Sequence, residues 1–339
     1  MRSASFPLNR LRAELPQGYR VRHASLEGDA GLIADLINAN AHAIGYPLMT
    51  SQRDMREELT GEGVDLAADF VVVEDRSGLG VAWGQTWRNS GRAHGAFLFG
   101  GVHPERQGLG IGRAIFTWSR NRAAQLLAGQ VTGDLFVQLP EIDRAARRMV
   151  ESQGGRAIRF YSDMLLRFDE RPTDSDVDAV VAPRGYRFVP LESVEAEGLR
   201  RLRNHCFADH WGSWEMTPAA WDDLVNEGSL RPNHSEAIVD ERGEPVAMQL
   251  TSKFPQDAAT IGRVQWVGHL GVHRNHRKRG LASLLIERHL RRAKGEGCAG
   301  SMLTVDGESL TGANRLYEGA GYGHYSRTVR YTMDGVAGS

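Results

Sequence analysis

The 339-residue chain is 41% hydrophobic and 24% charged, the composition of an ordinary globular protein with apolar material enough for two cores. Its formal net charge of −1 argues against a general nucleic-acid or membrane binder, and two cysteines, Cys206 and Cys298, leave neither a disulfide framework nor a cysteine zinc site to build. No stretch approaches the ~18 apolar residues of a membrane span and the first residues lack the apolar run of a signal peptide, so a cytoplasmic location is expected.

In chain order, Gly18-Tyr19-Arg20 opens a strand, and residues 31–44 carry apolar side chains at mixed three- and four-residue spacing, a helical pattern. FVVVED (70–75) and GVAWGQTW (80–87) flank a turn at Arg76-Ser77-Gly78 and read as a hairpin. A further strand ends at GGVH (100–103), the Gly-rich RQGLGIGRAIF (106–116) opens a helix, and LFVQL (135–139) is the next strand, followed by a short helix and a terminal strand. The pattern lapses over 168–185, where Pro172, Asp174, Ser175 and Asp176 cluster. It then starts again: Gly185-Tyr186-Arg187, a helix over 194–207, and a hairpin of EAIVDE (236–241) and PVAMQLTS (245–252). A strand to LGVH (270–273), the loop HRKRGLASLLI (276–286), the strand SMLTV (301–305), a short helix and a terminal strand complete the second round.

The order repeats because the sequence does. PQGYR (16–20) returns as PRGYR (183–187) at an offset of 167, and DRSGLGVA (75–82) as DERGEPVA (240–247) at 165. GVHPERQGLGIG (101–112) returns as GVHRNHRKRGLA (271–282) at 170. Repeats of roughly 150 residues are duplicated domains rather than solenoid units, and the element order makes each one mixed α/β.

Chemistry concentrates where strand gives way to helix. In both copies glycines clear side chains from a helix N-terminus while Arg and Lys crowd it, which makes either an anion site suited to a pyrophosphate or a tight strand-to-helix turn. The spacing of Gly108, Gly110 and Gly112 does not match a dinucleotide fingerprint, and Gly307 to Gly312 lacks the Lys of a P-loop. His273 and His276 stand three apart without the context of a zinc site, so no metal is expected.

These residues resemble the GNAT acyltransferases. The family's Arg/Gln-x-x-Gly-x-Gly/Ala signature is matched by Gln107-x-x-Gly110-x-Gly112 and by Arg277-x-x-Gly280-x-Ala282. Its Leu-Tyr-Glu-x-x-Gly-aromatic segment is matched by Leu316-Tyr317-Glu318-Gly319-Ala320-Gly321-Tyr322. The tandem arrangement is similar to that of the mycothiol synthases, from which the chain departs at Trp266, where those have an acidic residue.

The resemblance implies two tandem GNAT-like domains, 1–172 and 173–339, each a central, mostly antiparallel α+β sheet flanked by helices. It implies acetyl-CoA or another acyl-CoA as cosubstrate. Leu270, Gly271 and Val272 would run beside the pantetheine arm. Arg277, Lys278, Arg279, Gly280, Leu281, Ala282 and Ser283 would hold the pyrophosphate. Gly101, Val102, Gln107, Gly108, Leu109, Gly110, Ile111, Gly112 and Arg113 are their counterparts in the first half.

Tyr317 is the expected acid for the leaving thiolate. Val150 stands at its position in the first half and has no proton to give, so the second domain is expected to be catalytic and the first a support that can retain a CoA pocket. The strand facing the acyl group offers Gln265, Trp266 and His269 but no carboxylate; His269 is either the base or a hydrogen-bonded histidine at the strand end. Asp209, His210, Trp211 and Trp214, with Trp266, either line the acceptor or cap the core. The expected reaction is N-acyl transfer to a small-molecule amine such as an amino sugar, an aminoglycoside-like compound or a cysteine-bearing pseudodisaccharide. A monomer or homodimer would act without nucleic acid or membrane. A non-catalytic acyl-CoA-binding or regulatory module is the other reading.

Overall fold

The computed structural model describes residues 6–61, 64–88, 95–128, 133–170, 173–211, 213, 215–307 and 312–334. The first repeat supplies α1 (Asn9–Glu14), β1 (Arg20–His23), α2 (Leu26–Ile44), α3 (Gln52–Leu59), α4 (Leu66–Asp69), β2 (Phe70–Glu74), β3 (Gly80–Trp87), β4 (Gly95–Val102), α5 (Ile111–Leu126), β5 (Asp134–Pro140), α6 (Arg144–Ser152) and β6 (Arg156–Arg167). The second supplies β7 (Tyr186–Pro190), α7 (Ala196–Phe207), α8 (Pro218–Asn226), β8 (Glu236–Asp240), β9 (Pro245–Ser252), α9 (Ala258–Ile261), β10 (Val264–Val272), α10 (Leu281–Gly295), β11 (Gly300–Asp306), α11 (Ala313–Ala320) and β12 (Gly323–Met333). The expected strands, hairpins and helices are all present.

Contacts divide the chain into one unit of Met1–Phe160 with Arg327–Ser339 and another of Tyr161–Ser326. The expected boundary at 172/173 falls at residues 171–172, which lie outside those described; the contact units part earlier, at Phe160/Tyr161, and each takes in the other repeat's last strand. In the first unit the strand order is β1-β2-β3-β4-β5-β12, with Thr328–Met333 antiparallel to β5. In the second it is β6-β11-β10-β9-β8-β7, with Tyr161–Arg167 antiparallel to β11. Alternation of side chains tells that a stretch is a strand and which residues share a face, but not which edge it joins.

Each unit has one parallel pair, β4 with β5 and β10 with β11, among otherwise antiparallel neighbours. Parallel neighbours need a crossover, and α5 and α10 provide it. In the second unit, α7 and α8 cover a core of Val189, Leu199, Trp221, Met248 and Leu250. Ile286 and Leu290 of α10 pack with Val267, Leu303 and Val305 on the opposite face, and α11 packs against that cluster. Arg122 reaches the buried Asp69 at 2.8 Å, and at the matching place Arg292 reaches the buried Glu236 at 2.5 Å, with Arg288 also bound to Glu236 at 2.7 Å. Burial alone would raise the Glu236 carboxyl, but the two guanidiniums hold it below the usual range. Among the described residues no helix is long and apolar enough to cross a membrane.

Candidate active site

The site begins where two parallel strands part. β10 pairs with β11 only from Val264↔Gly300 to Val267↔Leu303; beyond that β10 continues to Val272 against β9, and β11 to Asp306 against β6. A slot therefore opens between them. At its apex the β9–β10 register shifts between Val267 and His269, leaving Gly268 as an extra, exposed residue. Such a bulge re-aims the backbone that follows it.

The slot leads to the loop before α10. Gly280, the N-cap, has φ +77°, Lys278 has φ +61°, and no side chain caps the helix. A Cβ on Gly280 would have no neighbour within 4 Å, so among the described residues no other part of the chain crowds the N-cap, and no side chain occupies the first N–H groups of α10. Uncapped amides, left-handed turns and the positive helix end make a cradle that fits a pyrophosphate. In the first unit Gly108 (φ +76°) and Gly110 (φ +86°) repeat the geometry before α5.

Several side chains expected at the phosphates have other work. Arg277 Nε donates to the Val272 carbonyl at 3.2 Å, and Gln107 Nε2 donates to the matching Val102 carbonyl at 3.3 Å and to Asn40 Oδ1 at 2.9 Å. These residues brace the loop, leaving backbone amides for the ligand. Arg279 Nη1 donates to the Tyr186 hydroxyl at 2.9 Å, while Lys278 and Ser283 are exposed. Leu281 and Ile111 are buried as the first core residues of their helices. Ala282, Gly112 and Arg113 lie in the first helical turns, and Leu109 is exposed. Gly101 and Gly271 are the last residues but one of their strands; a Cβ on Gly271 would meet Cys206 Cβ at 2.8 Å, so glycine lets α7 close onto β10.

The two faces of the slot differ. On the α11 face, Tyr317 packs against the same apolar cluster as Leu270, with its ring 6.1 Å from that of Tyr322. Burial pushes its phenol up to about 12. On the α7 face, His269 meets Phe207 edge-on at 5.7 Å, and the buried Arg203 lies over the Phe207 ring at 5.4 Å. Burial, with the charge of Arg203, pushes the His269 imidazole down to about 4. Trp266 is buried against Phe254 at 5.7 Å, and its indole N–H has no hydrogen-bond partner among the described residues.

The remaining candidates are not all drawn to this place. Asp209 is exposed and forms a 4.0 Å ion pair with Arg274, and His210 is exposed with its Nδ1 3.1 Å from the Trp211 carbonyl oxygen. Trp211 is half-buried, and Trp214 lies outside the described residues. Burial raises both thiols, Cys206 to about 12, so neither is a ready nucleophile. The sequence points to Asp209, His210, Trp211 and Trp214, whereas the structure brings forward Arg203 and Phe207, one helical turn apart on α7. It also brings forward Thr304 and Asp163, whose pairing depends on the exchanged strand.

Residues 196–322 match the model of the acetyltransferase (GNAT) family. The second repeat is a GNAT acetyltransferase domain. The N-acyltransferase assignment of the family therefore rests on the second repeat. A search of curated protein sequences found no match. Among solved structures, a GCN5-related N-acetyltransferase from Sphaerobacter thermophilus is similar over 94% of this chain and 96% of its own, at 23% identity and a TM-score of 0.74. A tandem GNAT protein from the clavulanic acid biosynthesis pathway is similar over 94% and 98%, at 19% identity and a TM-score of 0.68. N-myristoyltransferase from Saccharomyces cerevisiae, with bound myristoyl-CoA, is similar over 94% and 79%, at 9% identity and a TM-score of 0.62. These likenesses extend the GNAT fold to both repeats.

Proposed function

We propose that the second unit is the catalytic one and that it transfers an acyl group from CoA to the amine of a small molecule. The observation that carries this reading is the slot between β10 and β11, running from the uncapped N-terminus of α10 to the bulge at Gly268. The loop amides hold the pyrophosphate, the free backbone edge of Leu270 to Val272 accompanies the pantetheine arm, and the acyl group reaches the bulge.

The amine approaches from the α7 face, past Phe207, His269 and Trp266, and attacks the thioester carbon. On the other face Tyr317, raised by burial and so protonated at neutral pH, donates its proton to the departing thiolate. An aromatic wall suits a cationic or ring-bearing acceptor such as an amino sugar or an aminoglycoside-like compound. The first unit keeps a phosphate cradle and serves as support.

The test is direct. The protein is incubated with acetyl-CoA and a panel of glucosamine, kanamycin, tyramine and spermidine, while thiol release and the N-acetyl product are followed. Amide formation with at least one amine is expected. Tight binding of acetyl-CoA with no product from any amine would favour a non-catalytic binding module and overturn the reading.

A further inference from the structure

From Gly300 to Asp306 every residue of β11 is buried except Thr304, which is exposed. The reason is topological: Leu303 is the last residue of β11 paired with β10, so Thr304 is the first past the point where that neighbour has left. Leu303 and Val305 point into the core shared with α10 and α11, and alternation turns Thr304 to the other face, that of α7, from which the amine approaches. The hydroxyl thus stands at the apex of the slot, one residue past the last β10–β11 pair, Val267↔Leu303.

Behind it lies a carboxylate. Thr304 Oγ1 donates to Asp163 Oδ1 at 2.7 Å, and Ser326 Oγ donates to Asp163 Oδ2 at 2.5 Å. Asp163 is only 4% exposed and is the register partner of Thr304 on the exchanged strand β6. A buried carboxylate is costly to hold and is kept where hydrogen bonds compensate it. With its own proton committed to Asp163, the Thr304 oxygen presents its lone pairs to the slot.

We propose that Thr304 takes the proton of the attacking amine and that Asp163, acting through it, receives the threonine proton. The inference rests on the acyl-transfer reading of this unit. The neutral amine nitrogen forms its bond to the thioester carbon, and the carbonyl π pair moves to oxygen. The N–H proton passes to Thr304 Oγ1 as the hydroxyl proton passes to Asp163 Oδ1. The oxygen pair then re-forms the carbonyl, the C–S bond breaks, and the thiolate takes the Tyr317 proton. The products are an amide and CoA thiol; Asp163 and Tyr317 recover their starting states by exchange with water. His269 is less suited to this step, because it stands edge-on to Phe207 under the charge of Arg203, which opposes a second positive charge, whereas Thr304 has the Asp163 carboxylate behind it to take the proton on.

The experiment compares Thr304→Val, Thr304→Ser, Asp163→Asn and the Val/Asn double variant, using acetyl-CoA and whichever panel amine the wild type acetylates. Thr304→Val and Asp163→Asn should each lose about 10²–10³-fold in kcat while acetyl-CoA affinity by calorimetry changes by less than about twofold. Thr304→Ser should recover most of the rate. The double variant should be little worse than the worse single one, because the two residues act as one unit. Retention of kcat within about threefold in Thr304→Val, or losses that multiply in the double variant, would overturn the proposal. If Asp163→Asn unfolds, the Val and Ser variants decide alone. A wild type that acetylates no amine removes the acyl-transfer reading itself, a failure distinct from an active enzyme indifferent to Thr304.

Discussion

The two repeats carry the same loop and differ at the chemistry. Before α5 and before α10 the chain takes the same left-handed turns, and both helices begin uncapped. At the acid position the second unit has Tyr317 and the first the buried Val150. Opposite the matching residue of the hairpin, His269 in the second unit faces Leu250, whereas Phe99 in the first faces Gln85. The second unit inserts Gly268 as a bulge, while β3 and β4 pair from Ala82↔Val102 to Trp87↔Phe97 without a shift. Where β4 and β5 part, the first unit holds a cluster of their last pair, Phe97 and Phe136, with Phe99 just beyond; the Phe136 and Phe99 ring centroids lie 5.3 and 6.1 Å from that of Phe97. Both repeats carry the cradle, and on the proposed mechanism the groups that move protons stand in the second alone.

The sharpest way to break this comparison is to remove the bulge. Deleting Gly268 should join Val267↔Thr251 directly to His269↔Leu250, which gives β10 the regular register of β4, keeps each side chain on its face and removes the re-aimed backbone at the slot apex. Turnover should fall by roughly 10³-fold or more, since a single misplaced stabilising group already costs 10²–10³; amide formation at the wild-type rate would contradict the role given to the slot apex.

A smaller effect is expected from Tyr317→Phe, which keeps the ring and removes the hydroxyl: kcat should drop by about 10²-fold with acetyl-CoA affinity unchanged. A higher KM at unchanged kcat would instead assign Tyr317 to acceptor binding. Because burial holds its phenol near 12, the rate should rise with pH as the amine deprotonates, with no falling limb from Tyr317 below about pH 11. Val150→Tyr in the first unit should add no activity.

The repeats should also part in acid. His289, buried on α10 between Ser301 and Thr251, is pushed by burial down to about 3, whereas the matching residue of α5 is the buried Ser119. A histidine depressed in the folded state stabilises fully above its ordinary value near 6.5 and loses that contribution as pH falls toward 3. Thermal scans should show the second unit losing roughly 2–4 kcal/mol over that window, and His289→Gln should flatten the dependence. The mildest change is His269→Gln: as a wall residue rather than the base, it should alter KM by about threefold and leave kcat nearly intact.

Much of this was legible before any coordinates. The hairpins and both loops follow from alternation, turn residues and glycine placement, while Tyr317 is singled out by the resemblance of its Leu-Tyr-Glu segment to the GNAT family. Even the bulge left a trace, since the repeat offset grows from 165 at the hairpin to 170 at the loop, and Gly268 is one of the residues that make up the increase. The exchange of β6 and β12 was not legible, because a strand's sequence marks its faces and not its neighbour. For the same reason Asp163 and Thr304, 141 positions apart, gave no sign of being partners. The strand facing the acyl group lacks a carboxylate in sequence, and the fold supplies one behind the next strand.

The measurement that bears most directly on the central claim is the paired comparison of Gly280→Glu and Gly110→Glu in acetyl-CoA-dependent turnover. The variants are matched, because both glycines have positive φ, +77° and +86°, and neither Cβ would meet an atom within 4 Å. Any strain from an L side chain is therefore shared, and each glutamate puts a negative charge into its own cradle. Turnover should vanish in Gly280→Glu and largely survive in Gly110→Glu; survival in the first and loss in the second, with both proteins folded, would place the chemistry in the other repeat.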